Sequence, residues 1–230
     1  MKGKILAILS IVIGVLLVAG AMAGSALKPK TGSAGKGLTW TLDFKGDLTV
    51  SGKGAVKNFS PEKLDIDQKV KRVIVADGVT AFGGDLSTCA GLRELVLGAD
   101  AAKAGVLFGK TPPLLERVTV ADENTAFMSE DGVLYNKDQT SLLFYPPLRE
   151  GESFTVPETV QELREGVFRN AKYLTSVTLP SSLAAIGGSA FSGCDQLKKL
   201  VFGGTEDQWN ALTEGVELGL PAAATVEIEG

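Results

Sequence analysis

Histidine does not occur among the 230 residues. Its absence removes the usual general base near neutral pH, the imidazole metal ligands and every triad built on histidine. Cysteine occurs twice, at Cys89 and Cys194, and neither has a histidine or a second cysteine beside it to make a metal pair. An excess of cations is also missing. Lys and Arg number 23 against 27 Asp and Glu, a net charge of −4, so the basic face that nucleic-acid phosphates require is not expected. No C-terminal sorting motif is read in the chain, so wall attachment by that route has no support. What is present is ordinary for a folded protein: 44% apolar and 22% charged residues argue against bulk disorder. The length suits one domain with an N-terminal extra, or one elongated repeat domain.

The N-terminus reads as an export segment. Lys2 and Lys4 precede an uncharged, mostly apolar run from Ile5 to Ala23, which ends on the small-x-small pattern Ala21-Met22-Ala23. Gly24-Ser25-Ala26 is a second candidate cleavage site, and no cysteine follows the run to carry a lipid. Residues 1–23 are therefore a signal peptide or, if uncleaved, an N-terminal membrane anchor, since nineteen residues can just cross about 30 Å of hydrocarbon. Removing them takes away Lys2 and Lys4 and leaves 21 basic against 27 acidic residues, a net −6. Residues 24–37, with Lys28 to Gly37 reading KPKTGSAGKG, are expected to be a flexible linker. Gly35-Lys36-Gly37 lacks the flanking glycine and Ser/Thr of a phosphate loop.

A repeat of about 23 residues organises the body. In the stretches starting at Ser153 and Ser176, Phe154 matches Val177, Val156 matches Leu179, Pro157 matches Pro180, and Leu163 matches Ile186; Phe168 matches Phe191 and Leu174 matches Leu197, always 23 apart. Extended outward, this frame puts first strand positions at Val73, Leu95, Val118, Phe154, Val177 and Leu200. The interval from Val118 to Phe154 is 36, which signals an insertion of 13 residues. A Val-x-Leu pair alternates in and out and fits one short strand with one buried face. Pro157 and Pro180 end their strands because they cannot donate to a ladder. One coil cannot bury its own face, but stacked coils can, and they then need capped ends.

These residues resemble a family. Ala190-Phe191-Ser192-Gly193-Cys194, Leu197, Val177-Thr178-Leu179-Pro180 and Ile186-Gly187 look like the BspA-like leucine-rich repeats of bacterial cell-surface and secreted proteins. So do the stretch from Asp131 to Lys137 with Phe144-Tyr145-Pro146, and the ending Gly203 to Trp209. The likeness covers about residues 38–230, with degenerate repeats at Val73 and Leu95. The resemblance implies a β-rich α/β repeat solenoid with one short strand per coil, one long sheet with an exposed face, and surface adhesion.

The caps are legible too. Trp40 to Asp43 and Asp47 to Val50 alternate strictly around Phe44-Lys45-Gly46, a hairpin within the cap at 38–69 that covers the first coil of the solenoid at 70–202. In the C-terminal cap at 203–230, Thr205 with Gln208 three residues on predicts a capping box, with Trp209 and Leu212 on the closing face and Val226 and Ile228 in a final strand. The insertion, about 130–146, reads as a hairpin of Val133–Tyr135 against Leu142–Tyr145, with a turn at Asn136-Lys137-Asp138. It is either a binding projection or a structural elaboration.

Candidate sites are few. Cys89 and Cys194 hold equivalent places four coils apart, roughly 19 Å at about 4.8 Å per coil, too far for a disulfide, so two free buried thiols are expected. Asp122, Glu123, Glu130 and Asp131 lack the pattern of a calcium loop and read as solvated surface. Tyr135, Phe144, Tyr145 and Tyr173 are core residues or a sugar or protein contact. The reading is a non-enzymatic, exported binding module, extracellular or at the cell surface, monomeric, with no cofactor and no resident metal. Its partner is a protein or glycan, it binds no nucleic acid, and it meets a membrane only through an uncleaved N-terminus. Thr119, Thr155, Thr178, Tyr135 and Tyr145 are the candidate partner-binding surface. A structural envelope component without a foreign ligand is the alternative.

Overall fold

The computed structural model describes residues 28–107 and 112–230, so the export segment falls outside the described residues. Polar and apolar residues alternate in the first long strands, and this sets their faces. The first strand among the described residues is β1 (Lys30–Gly35), which runs antiparallel to β2 (Leu38–Leu42), and β2 in turn pairs antiparallel with β3 (Asp47–Gly52). Trp40, Leu42, Leu48 and Val50 all point into one core. Of the flexible linker expected over 24–37, residues 24–27 lie outside the described residues, and β1 corrects the expectation over Lys30–Gly35. Its sequence, KTGSAG, has no apolar alternation, and main-chain pairing with β2 is what makes it a strand. Gly32 is required there: a Cβ would lie 2.8 Å from the indole Nε1 of Trp40.

The solenoid starts one coil earlier than Val73. After β3 come β4 (Gly54–Phe59), two 3-10 turns and β5 (Arg72–Val75), which lies parallel to β3 with Leu48 opposite Val73. β6 (Val79–Gly84) lies parallel to β4. β7 (Glu94–Leu97) and β8 (Arg117–Val120) then extend the first sheet, Val73 opposite Leu95 and Leu95 opposite Val118. The chain continues through β9 (Phe127–Glu130), β10 (Val133–Asn136), β11 (Ser141–Phe144), β12 (Ser153–Thr155) and β13 (Glu162–Leu163). It ends with β14 (Ser176–Leu179), β15 (Ala185–Ile186), β16 (Lys199–Phe202), α1 (Glu206–Thr213) and β17 (Thr225–Ile228).

The six anticipated first positions all lie in strands and are in register as two sets of three, Val73, Leu95 and Val118 in one sheet and Phe154, Val177 and Leu200 in another. Two features differ from expectation. Coils also carry a second strand, as in the parallel pair β4–β6 and the parallel run β11–β13–β15. The long sheet is interrupted: one face has the order β1-β2-β3-β5-β7-β8 and the other β12-β14-β16-β17.

The inserted residues cause the break. β10 pairs with β11 as expected, but also with β9 on its other side, which places it inside the sheet β15-β13-β11-β10-β9. Val133, Leu134 and Tyr135 are all at most 1% exposed. Leu134, with Phe127 and Phe144, packs into the N-terminal core; Val133 and Tyr135, with Leu142 and Tyr145, pack into the C-terminal core. The insertion is therefore a partition between two separate cores. It is not a projection.

The C-terminal cap forms as read. The Thr205 hydroxyl accepts from the Gln208 N–H at 3.3 Å, and the Gln208 side chain accepts from the Thr205 N–H at 2.8 Å. This satisfies two N–H groups at the start of α1. Trp209 and Leu212 pack on the C-terminal core, with the Trp209 ring 5.5 Å from Phe202. β17 pairs in parallel with β16, and Ile228 turns toward the core while Val226 remains 37% exposed.

Candidate binding face

Residues that alternate with the buried ones along the parallel strands form two outward rows. In the N-terminal half the first row is Asp47, Arg72, Glu94 and Arg117, opposite one another in register across β3, β5, β7 and β8. Their charges alternate in sign and pair off. Arg72 Nε donates to Asp47 Oδ1 at 3.2 Å and lies 4.0 Å from Glu94 through Nη1, while Arg117 Nε meets Glu94 Oε1 at 3.1 Å. The Asp47 hydrogen bond raises the Arg72 pKa above its ordinary value, against the opposing effect of burial. Pairs this exposed contribute at most about 1 kcal/mol each. Their main consequence is that this half of the face presents little unpaired charge. The second row, Thr49, Ile74, Val96 and Thr119, has two aliphatic members in its middle.

The C-terminal half is different. Its rows run Ser153, Ser176, Lys199, Thr225 and Thr155, Thr178, Val201, Glu227. Lys199 Nζ and Glu227 Oε2 pair at 2.6 Å. Ser153 and Thr155 are exposed, and Ser176 and Thr178 are half-buried. Among the described residues these four hydroxyls have no hydrogen-bond partner within the protein. Neighbouring coils hold them about 4.8 Å apart. They form a neutral square of hydroxyl groups on rigid strands, able both to donate and to accept.

The candidate residues read from sequence divide accordingly. Thr155 and Thr178 belong to the square. Thr119 is exposed, but its hydroxyl already donates to Glu94 Oε1 at 3.1 Å. Tyr135 and Tyr145 are corrected: each is 1% exposed, so no partner reaches either ring on the folded surface. Strand alternation places one face of a strand in water only when that face is uncovered, and β10 is covered on both. Burial pushes both phenol pKa values up. The Tyr145 ring is covered by Arg149, whose guanidinium carbon lies 5.4 Å from the ring centre and whose Nη1 donates to the phenol oxygen at 3.4 Å. Phe144 is also buried, whereas Tyr173 is 44% exposed, just before β14. Ser153 and Ser176 went unread as site residues. Their signal was present, since each stands two residues before Thr155 or Thr178 on the same outward side.

The acidic set does not converge. Glu130 accepts from Gln139 at 2.6 Å, the Asp122 carbonyl accepts from Lys137, and the Asp131 carbonyl accepts from Arg149. Both cysteines are free and buried. The Cys194 thiol donates to the Phe168 carbonyl at 3.0 Å. Burial, with the carboxylates of Asp67 and Asp85 adding to it, pushes the Cys89 thiol from 9.0 up to about 12, and burial takes Cys194 to about 11. A native sample at pH 8 is expected to react with a thiol reagent at neither cysteine, and a denatured one at both. Because the folded values are raised, the thiols' contribution to stability is complete below about pH 9 and is lost as the pH climbs toward 11–12. A urea midpoint that rose between pH 9 and 11 in wild type relative to a Cys89→Ala, Cys194→Ala variant would contradict this.

Coils of parallel strands stacked in register over a one-dimensional core, closed by a hairpin at one end and a capped helix at the other, define a leucine-rich-repeat-type solenoid. Residues 143–210 match the family described as BspA type Leucine rich repeat region (6 copies). That span runs from the end of β11 into α1, and the more degenerate N-terminal coils lie before it. No curated protein matches the chain. Among solved structures, a leucine-rich repeat protein from Eubacterium ventriosum is similar at 19% identity, over 77% of this chain and 73% of that one, with a TM-score of 0.44. The pneumococcal vaccine antigen PcpA is similar at 15% identity over 74% and 69%, TM-score 0.40. A leucine rich cell surface protein from Faecalibacterium prausnitzii is similar at 15% identity over 88% and 96%, TM-score 0.31.

Proposed function

We propose that this protein is an exported, non-enzymatic binding module, extracellular or held at the cell surface, that presents the outward strand face of its C-terminal coils to a glycan or a polar protein surface. The observation that carries the reading is the square of Ser153, Thr155, Ser176 and Thr178, four hydroxyls without an internal partner on adjacent strands. Hydroxyls left in water on a rigid sheet bind at little conformational cost, because the backbone that positions them is already ordered. Their neutrality suits a sugar or an uncharged polar surface better than a phosphate or a metal. Export is supported by Lys2 and Lys4 followed by the apolar run to Ala23.

The test is a panel of matrix proteins, mucins and glycans offered to the purified protein. Saturable binding to one of them is expected, with Thr155→Ala plus Thr178→Ala weakening it about tenfold, the sum of two ordinary hydrogen bonds. Thr119→Ala should leave it unchanged, since that hydroxyl is bound to Glu94. A correctly folded protein that binds nothing in the panel and co-fractionates with its own cell wall would instead favour a structural envelope component.

A further inference from the structure

The charges are distributed unevenly along the coil axis. Residues 28–71 carry nine lysines against five carboxylates, a net +4, whereas residues 72–230 carry 12 cations against 22 anions, a net −10. In the basic part lies a groove of about 580 Å³ between β1, β4 and the 3-10 turn at Glu62–Leu64. Lys36, Lys57 and Lys63 line it, all exposed, and no carboxylate does. Between the lysines its walls are apolar, with Ala34, Ala55 and the half-exposed Leu64. The volume falls within the usual range of ligand clefts.

The groove is flanked by two strands that each have a single neighbour among the described residues: β1 pairs only with β2, and β4 only with β6. Each also breaks register where it meets the groove, β1 between Ser33 and Gly35 and β4 between Val56 and Phe59, so that Ala34 on one side and Lys57 with Asn58 on the other leave the ladder. Such breaks and edge lysines prevent indiscriminate strand pairing, and like-charged or neutral strands are turned away. A strand carrying carboxylates meets the same lysines as partners.

We propose that this groove is a second binding site, separate from the hydroxyl square, which takes an extended acidic polypeptide segment as an added strand. Unpaired edges decide for polypeptide over lipid or glycan, because only a second backbone can continue a ladder. The lysines select its charge, and the alanines and Leu64 receive the apolar residues that alternate with the carboxylates.

The probe is a capped synthetic peptide of about eight residues alternating glutamate and valine, titrated into the full-length protein. The expected result is saturable binding that weakens with added salt, together with slowed amide exchange in β1 or β4. Lys36→Glu, Lys57→Glu and Lys63→Glu combined should weaken it at least tenfold while leaving the thermal midpoint within a few degrees, since all three side chains are exposed. N-methylation of alternate residues of the peptide, which keeps its charge and removes the strand-pairing N–H groups, should abolish binding. Equal binding of the N-methylated peptide, binding without protection of β1 or β4, or binding of vesicles rich in anionic lipid but not of the peptide would each overturn the proposal. Failure here leaves the hydroxyl square untouched, because Thr155→Ala and Thr178→Ala lie on the far side of the partition and read only that face.

Discussion

Phe168→Ala lowers the unfolding free energy by about 4 kcal/mol, the upper part of the range for emptying a buried aromatic site. Phe168 is fully buried in the C-terminal core. Its ring centre lies 5.2 Å from Tyr145, 5.9 Å from Phe154 and 5.2 Å from Phe191, which stacks on it at an interplanar angle of 6°. Three coils thus hand their aromatic rings to one another along the axis, and removing the middle ring leaves its neighbours facing a void that the stiff strands cannot close. The Phe168 main chain is also fixed, donating to the Ala190 carbonyl at 2.9 Å and accepting from the Cys194 thiol. Urea unfolding followed by fluorescence measures the loss. Trp209 packs on this core and Trp40 belongs to the other, so a Trp40→Phe background reads the C-terminal half alone. Phe168→Leu should cost far less, about 1–1.5 kcal/mol, because it refills most of the volume. A loss below about 1 kcal/mol for the alanine variant would show that the ring ladder is not what holds these coils together.

The second large effect is expected at Asn124, the one polar residue among the described residues that is fully buried. Its amide nitrogen donates to the carbonyls of Gly98 and Ala101, at 2.7 and 2.9 Å, and its oxygen accepts from the N–H groups of Ala126 and Phe127, both at 2.8 Å. One side chain thereby satisfies four main-chain groups, two in the preceding coil and two at the entry to β9. Asn124→Ala leaves the Ala101 carbonyl and the Ala126 and Phe127 N–H groups without this partner, while the Gly98 carbonyl keeps the Ala101 N–H at 3.2 Å. With 1–3 kcal/mol for each buried group left unpaired, and partial relaxation letting some reach solvent, the expected loss is about 3–5 kcal/mol. Asn124→Asp keeps the acceptor but removes both donors and buries a carboxylate, so it should be no better at neutral pH and should recover some stability in acid, where the neutral carboxyl can again donate. An Asn124→Ala variant within 1 kcal/mol of wild type would mean that water replaces the amide.

Much of this was legible in advance because of what a half-buried strand does to sequence. Phe154, Val177 and Leu200 face one core from successive coils, so they recur at a fixed interval, and the register followed directly. Thr205 and Gln208 named the start of α1 because a capping box is local chemistry. β1 was not legible, since a strand held by main-chain bonds to β2, whose inner face carries only Gly32 and Ala34, leaves no apolar alternation to read. The second strands β13 and β15 are two residues long, too short for any alternation to show. Tyr135 was misread for the opposite reason. A strand covered on both sides carries apolar residues at every position, and Val133-Leu134-Tyr135 can be told from a one-sided strand only by knowing that two cores meet there. The outward placement of Thr155 and Thr178 was legible because the outward position of a one-sided strand is fixed by its buried neighbours. That Thr119 is occupied by Glu94 depends on a contact 25 residues distant in sequence, which periodicity does not encode.

The partition formed by β9, β10 and β11 has a consequence for how such a chain can change its copy number. Each half ends on a closed surface: hairpin and partition on one side, partition and capped helix on the other. A coil duplicated or deleted within β12 to β16 alters the length of the second half and the number of rungs in its face, while Leu134, Phe127 and Phe144 continue to seal the first. Recombination between repeats of matching register can therefore lengthen or shorten one face without rebuilding the other. The thirteen inserted residues that break the sheet are also the joint at which the two halves become free to vary independently.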